Sequence, residues 1–281
     1  MTLAGGLVRV AVGIARWVPL EALGAVGACL GWVWYRLVPI RRRVARENVA
    51  RALGGTPAQT EAIVAGMYLH LGRSVAELLA LDRVVARARI SGLDNLTAAV
   101  SGGRGVLLLS AHLGNWEVPV RAAARAERPV RIVTKRLSGR LAQGFWSGLR
   151  VGGAGLLHET GSARAILRAL GANEVVAFVL DQHEAGAGRC VVPFFGRPAA
   201  TSSGLARLAR RTGAPILPVF THRAPDGAHV VEIGPAVALP AGVGDPEDTA
   251  RATTLLVSLV EEAIRRHPEQ WLWIHRRWKV A

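Results

Sequence analysis

Cysteine is almost missing from this chain of 281 residues: Cys29 and Cys190 are the only two, far apart in unlike segments. They form neither a metal motif nor a disulfide framework, which suits a reducing compartment. Lysine is as scarce, at positions 135 and 279, so the formal net charge of +15 is carried by arginine. No Gly-x-Ser-x-Gly elbow is present; Gly72-Arg73-Ser74-Val75-Ala76 ends in alanine and lies in an expected helix. There is no phosphate-binding loop, and Gly153-Ala154-Gly155 fails the dinucleotide fingerprint. These absences argue against a serine hydrolase, a nucleotide hydrolase and a dehydrogenase. No zinc-finger spacing or RNA-binding aromatic motif accompanies the positive charge, which argues against nucleic acid as partner. A basic chain that is 51% hydrophobic fits an enzyme resting on an anionic membrane, or simply reflects a bias toward arginine.

What is present starts with an apolar N-terminus. Residues 3–20 are broken by Arg9, Arg16 and Pro19, and Ala22 to Tyr35 is uncharged. That run is shorter than the roughly 20 residues of a full span, and no small-residue cleavage site marks a secretory signal. Trp17, Trp32, Trp34 and Tyr35 suit a lipid interface; Arg36, Arg41, Arg42, Arg43 and Arg46 follow as a cationic cluster. Residues 3–40 are expected to form one or two helices lying in, or dipping into, the cytoplasmic leaflet, a buried core hairpin being the other option. The expected division is a membrane-associating segment over 1–46 and a catalytic domain over 47–281.

Beyond it, helical and strand patterns alternate. Thr56, Pro57 and Gln59 open a helix over 57–81. Strands are expected at 106–110, 130–134, 175–180, 191–195, 216–221 and 230–233. Helices are expected after Gly92, over 119–126, 141–149 and 162–170, from a Thr201 cap to Thr212, and over 247–266. The run 175–180 is apolar throughout, as in a strand covered on both faces. This predicts an α/β fold with a mainly parallel central sheet flanked by helices.

The most informative stretch is His112-Leu113-Gly114-Asn115-Trp116-Glu117, directly after the strand at 106–110. A histidine with an acid nearby suits a base that deprotonates a hydroxyl. Five positions along a straight helix would splay the two side chains apart; Gly114 supplies a bend and Asn115 a helix cap. Asp181-Gln182-His183 follows the strand at 175–180, and sites in open α/β sheets gather at strand carboxyl ends. Asp181 is thus either a turn acid or a neighbour of His112. Phe194 and Phe195 are either core or the wall of an acyl channel, and Thr201 with free backbone amides offers a phosphate site at a helix start. Lys135, Arg136 and Arg150 are candidate phosphate or carrier-protein contacts. The ending, His267 to Lys279, mixes Trp and Arg, fitting either a membrane interface or packing over the sheet.

Taken in order, these residues resemble the bacterial lipid A biosynthesis acyltransferases, the lauroyl and myristoyl transferase family. His112 to Glu117 matches the family's His-x4-acid motif. Asp181-Gln182, Pro193 to Thr201 and Thr212 to Pro215 match its central block, and His267 to Lys279 its terminus. The resemblance implies a glycerolipid-acyltransferase-like fold and an enzyme at the cytoplasmic face of the inner membrane. It would move a fatty acyl chain from acyl carrier protein to a hydroxyl of a lipid A precursor, with no cofactor and no metal. It makes His112 the general base, with Glu117 orienting it. Asn115, Lys135, Arg136, Arg150, Asp181, Phe194, Phe195 and Thr201 become substrate contacts, and the amides near Gly114 and Asn115 an oxyanion site. Two alternatives stand beside it: a sister enzyme acylating phosphatidylinositol mannoside or another glycolipid, and a non-enzymatic basic peripheral membrane protein.

Overall fold

The computed structural model describes residues 10–38, 40–125, 130–134, 154–158, 163–186, 188–242 and 245–279. Among these, nine strands and nine α-helices are assigned here in chain order. The helices are α1 (Leu20–Leu37), α2 (Arg42–Leu53), α3 (Pro57–Glu77), α4 (Leu81–Ala86), α5 (Leu93–Ser101), α6 (Glu117–Arg125), α7 (Ala163–Gly171), α8 (Gly204–Thr212) and α9 (Pro246–Arg266). The strands are β1 (Arg89–Ser91), β2 (Val106–Ser110), β3 (Val130–Thr134), β4 (Ala154–His158), β5 (Val175–Val179), β6 (Arg189–Phe194), β7 (Arg197–Ser202), β8 (Ile216–Arg223) and β9 (His229–Ile233). Seven strands form one sheet in the order β1-β9-β8-β2-β5-β3-β4, and β6 and β7 form a separate antiparallel ribbon. Only the β8–β9 pairing is antiparallel within the large sheet, so the expected mainly parallel α/β fold holds.

Side chains alternate across a strand, and here they feed two cores. Leu107, Leu109, Val176 and Phe178 face a core closed by α7, α8, α9 and the C-terminal tryptophans. Val106, Leu108, Val175 and Ala177 face the other, closed by α4, α5 and α6. Local chemistry sets the helix ends. The Thr56 hydroxyl accepts from the Gln59 amide, and the Gln59 side chain accepts in return from Thr56 N–H. Asp245 caps α9 by accepting from Asp248 N–H.

Three expectations need correction. The helix expected from a Thr201 cap begins at Gly204, and Thr201 lies within β7, because pairing with β6 claims its backbone. Strands β1 and β4 were not expected: β1 is short and exposed on both faces, so it carries no hydrophobic alternation, and β4 is glycine-containing. The helix over 57–81 ends as α3 at Glu77, then tightens into a 3₁₀ turn at Leu78–Ala80 before α4. The helix expected at 141–149 lies outside the described residues.

The inner face of α1 packs against α3 at glycine contacts. A Cβ on Gly31 would stand 2.2 Å from the Tyr68 carbonyl oxygen, and one on Gly72 would stand 2.2 Å from that of Gly27. The outer face carries Val26, Leu30 and Leu37 exposed, at helical spacing. Among the described residues no single helix is long and apolar enough to cross a membrane. The boundary expected between residues 46 and 47 falls inside α2.

Candidate active site

Register brings the site together. In the parallel pair β2–β5, Ser110 is opposite Val179, and Leu180 N–H donates to Ser110 O at 3.0 Å. Two residues beyond each strand end, His112 and Asp181 therefore meet. His112 Nδ1 lies 2.9 Å from Asp181 Oδ1, and the His112 backbone N–H donates to Asp181 Oδ2 at 2.9 Å. The Trp271 indole N–H donates to the same Oδ2 at 2.6 Å. Burial by itself would raise the Asp181 carboxyl, but His112 beside it and these three donors outweigh that and lower it to about 2. Asp181 is thus an ionised acceptor facing Nδ1, which assigns the proton to Nδ1 and leaves Nε2 as the basic nitrogen. The Gln182 amide sits 3.3 Å from Nε2, and the Trp116 ring packs edge-on to the imidazole at 5.1 Å.

The His112 loop is clamped by the C-terminal segment. Gly114 N–H donates to Gln270 O at 3.0 Å and Leu272 N–H to His112 O at 3.2 Å, with Leu113 bridged to Trp271 between them. Gly114 has φ of +61°, and a Cβ there would lie 2.2 Å from Thr221 O, so only glycine fits. Its amide is spent on Gln270 and does not serve as the expected oxyanion donor. Asn115 caps α6 as expected: its Oδ1 accepts from Glu117 N–H at 3.4 Å and its carbonyl from Val118 N–H at 3.0 Å. Its Nδ2 donates to Glu77 at 3.1 Å, so Asn115 positions the loop from below, buried, instead of meeting a substrate.

Glu117 occupies the first turn of α6, buried on the wall of a cavity of about 240 Å³ that also holds His112. Its other walls are mostly apolar: Leu108 from β2, Ile132 from β3, Ala177 and Val179 from β5, Val219 from β8, and Val120 and Ala123 from α6, with Ser110, Gln182, Glu184 and Ser202 as the polar part of the lining. This cavity lies between α6 and the sheet. Phe194 and Phe195 do not wall it. They are buried in the opposite core, Phe194 at the end of β6 beside the rings of Trp271 and Trp278, and Phe195 in the turn after it beside that of Trp273. The Thr201 hydroxyl is likewise engaged, donating to Ala199 O and accepting from the buried Arg277 guanidinium at 2.5 Å. Burial lowers Arg277 to about 10, so it stays a cation at neutral pH. Lys135, Arg136 and Arg150 lie outside the described residues.

The sequence left Asp181 as either a turn acid or a neighbour of His112, and the structure makes it the group that holds the imidazole; Trp271 was read only as part of the Trp- and Arg-rich ending, and Glu77 was not singled out. The strand-end positions of His112 and Asp181 were the available signal; an indole from residue 271 reaching residue 181 leaves none in the sequence.

A family model described as bacterial lipid A biosynthesis acyltransferase matches residues 5–280. The chain is similar to the lipid A biosynthesis palmitoleoyltransferase of Escherichia coli (strain K12), 28% identical over 270 residues, 93% of this chain and 86% of that protein. It is similar to the lipid A biosynthesis lauroyltransferase of the same strain, 28% identical over 203 residues, 71% of this chain and 64% of that one. It is also similar to the phosphatidylinositol mannoside acyltransferase of Mycobacterium tuberculosis (strain ATCC 25618 / H37Rv), 30% identical over 247 residues, 83% of this chain and 76% of that protein. The chain belongs to the bacterial lipid A biosynthesis acyltransferase family.

Proposed function

We propose that this family member transfers a fatty acyl chain from acyl carrier protein to a hydroxyl of a lipid A precursor at the cytoplasmic face of the inner membrane. The observation that carries the reading is the His112–Asp181 pair at the mouth of an apolar cavity. In this mechanism His112 Nε2 takes the proton of the acceptor hydroxyl as its oxygen attacks the thioester carbon. The carbon–sulfur bond then breaks, and the proton passes from the imidazolium to the departing thiolate. Asp181 holds Nδ1 and stabilises the imidazolium, and Glu117 adds a second carboxylate on the cavity wall. No enzyme nucleophile is required.

Three further features support the assignment. The cavity walls suit a hydrocarbon chain lying along the strands beneath α6. A larger hollow of about 760 Å³ shares Val133, Val179, Leu180, Glu184 and Ser202 with it, and Arg207 and Arg211 stand exposed at its side, suited to an acidic carrier. The outer face of α1, with Trp32 exposed on it, Trp17 exposed just before it and arginines following, suits an anionic bilayer surface. The 30% identity to a phosphatidylinositol mannoside acyltransferase favours a second reading, in which the acceptor is another glycolipid.

The test is acyl transfer in detergent micelles from a panel of acyl carrier protein thioesters to both acceptors. Wild type would run beside His112→Ala, Asp181→Asn and Glu117→Ala. Removing the base should lower the rate by about 10²-fold or more. A His112→Ala enzyme with wild-type turnover would sink the mechanism, and transfer to the mannoside alone would select the second acceptor.

A further inference from the structure

The buried face of α3 changes character along the helix. Val64, Met67 and Tyr68 are followed by His70, Ser74 and Glu77, polar residues at i, i+4 and i+7 and so on one stripe. A helix normally turns an apolar face to the core, and buried polar residues are the informative exception. This stripe lies under the loop that carries His112. The neutral His70 ring, held by burial at about 3, hydrogen-bonds the Gly114 backbone, and Ser74 Oγ lies 3.2 Å from His70 Nε2. Asn115 Nδ2 sits 3.4 Å from Ser74 O and donates to Glu77 Oε2 at 3.1 Å. Asn115 Oδ1 accepts from Glu117 N–H, so every polar group of this amide is used.

Glu77 is where the chain segments converge. Besides Asn115, its carboxylate accepts from both terminal nitrogens of Arg223, at the end of β8, and from His229 Nε2, on β9, at 2.9 Å. Four N–H groups fill the lone pairs of one carboxylate. Burial alone would raise the Glu77 carboxyl, but His229 and Arg223 outweigh it and bring it to about 2. Apolar side chains of similar volume would cover the same surface without desolvating an acid and a guanidinium. What such side chains could not do is fix the direction of the Asn115 amide. Glu77 is not among the described residues lining the cavity beside His112, so any effect it has on the reaction passes through the loop.

We infer that Glu77 is a positioning residue for the transfer reaction. Anchored by Arg223 and His229, its carboxylate acts through Asn115 to set the loop between β2 and α6, so that His112 meets Asp181 and Glu117 faces the cavity. The inference rests on the reading of His112 as the base in acyl transfer.

The experiment compares three variants of the full chain with wild type in detergent micelles. Glu77→Gln removes the charge. Asn115→Ser keeps a cap for α6 and leaves Glu77 with Arg223 and His229, but its side chain is too short to reach Glu77. In the double variant Glu77→Gln/Asn115→Asp the amide and the carboxylate change places, which keeps the hydrogen bond with its direction reversed. Two quantities are read: kcat and KM for transfer from an acyl carrier protein thioester, and the downfield proton resonance of His112 Nδ1–H, identified by its absence from Asp181→Asn. Both single variants should lose about tenfold to 10²-fold in kcat with little change in KM, as misplaced catalytic groups do. Their Nδ1–H resonance should broaden or vanish, and the double variant should regain both signals. A wild-type resonance in Asn115→Ser overturns the inference, and that variant decides the matter if Glu77→Gln does not fold. The resonance needs no acyl transfer. A wild type that transfers nothing would sink the proposed reaction and leave the positioning role to be decided by the resonance alone.

Discussion

The two ends of this chain are both rich in tryptophan and arginine, yet the fold uses them in opposite ways. Near the N-terminus Trp17 is 90% exposed and Trp32 is 49% exposed, beside a stripe of exposed aliphatics. At the C-terminus Trp271 is 1% exposed and Trp273 is fully buried, with Arg277 enclosed between the Phe194 ring and the Thr201 hydroxyl. Composition alone suggests a membrane interface for both. Partner availability decides between them. The C-terminal segment lies against the carboxyl ends of β2 and β5, where an ionised Asp181 needs donors and the His112 loop has backbone groups to satisfy. The N-terminal helix spends its glycine face on α3, and nothing in the described chain covers its other side.

Mutations should sharpen that contrast, the largest effect coming from the buried end. Trp273→Ala should destabilise the fold by about 3–5 kcal/mol, as expected for emptying a large aromatic site; chemical denaturation reads it, and a loss below 1 kcal/mol, roughly that of an ordinary surface change, would show the site is not tightly packed. Trp271→Phe keeps most of the packing but removes a donor to a buried carboxylate, at a cost of roughly 1.5–3 kcal/mol. It should also loosen the hold on His112, so turnover should fall with little change in the Michaelis constant.

The same variant carries a pH signature. Asp181 is lowered in the folded state to about 2. Its contribution to stability is therefore complete above the unfolded-state carboxyl value, near 3.9, and is lost as pH falls toward 2. Without the indole the folded value rises, so Trp271→Phe should lose less additional stability than wild type across that window. A melting series from pH 5 downward would show wild type and variant converging; parallel curves would mean the indole does not act through Asp181.

The smallest effect on stability belongs to the other end. Trp17→Ser should change the unfolding free energy by no more than about 0.5 kcal/mol, as an exposed substitution does. It should still weaken binding to anionic vesicles in sedimentation, and equal affinity would remove Trp17 from the proposed membrane face.

Much of the sheet was legible, because β2, β5 and β8 are continuous apolar runs bounded by turn residues. Edge strand β1 was not, since it buries neither face and so has no pattern to read. The ribbon strand β7 was hidden for another reason: Thr201 looks like a helix cap, and only pairing with β6 shows that it is strand. In the site, the loop bend at Gly114 and the cap at Asn115 were readable from local backbone chemistry. The role of Asn115 beyond the cap, as a donor to Glu77, was not.

The sequence by itself determined the alternation of strands and helices, the carboxyl-end placement of His112 and Asp181, and the motif order that marks the family, since all of these depend on short-range periodicity and spacing. The tertiary structure alone decided which carboxylate holds His112 Nδ1, that Phe194 and Phe195 stay away from the cavity beside His112, and which end of the chain is buried. Those outcomes depend on strand register and on contacts between residues as far apart as 181 and 271, where hydrogen bonding and burial, and not local propensity, choose the partner.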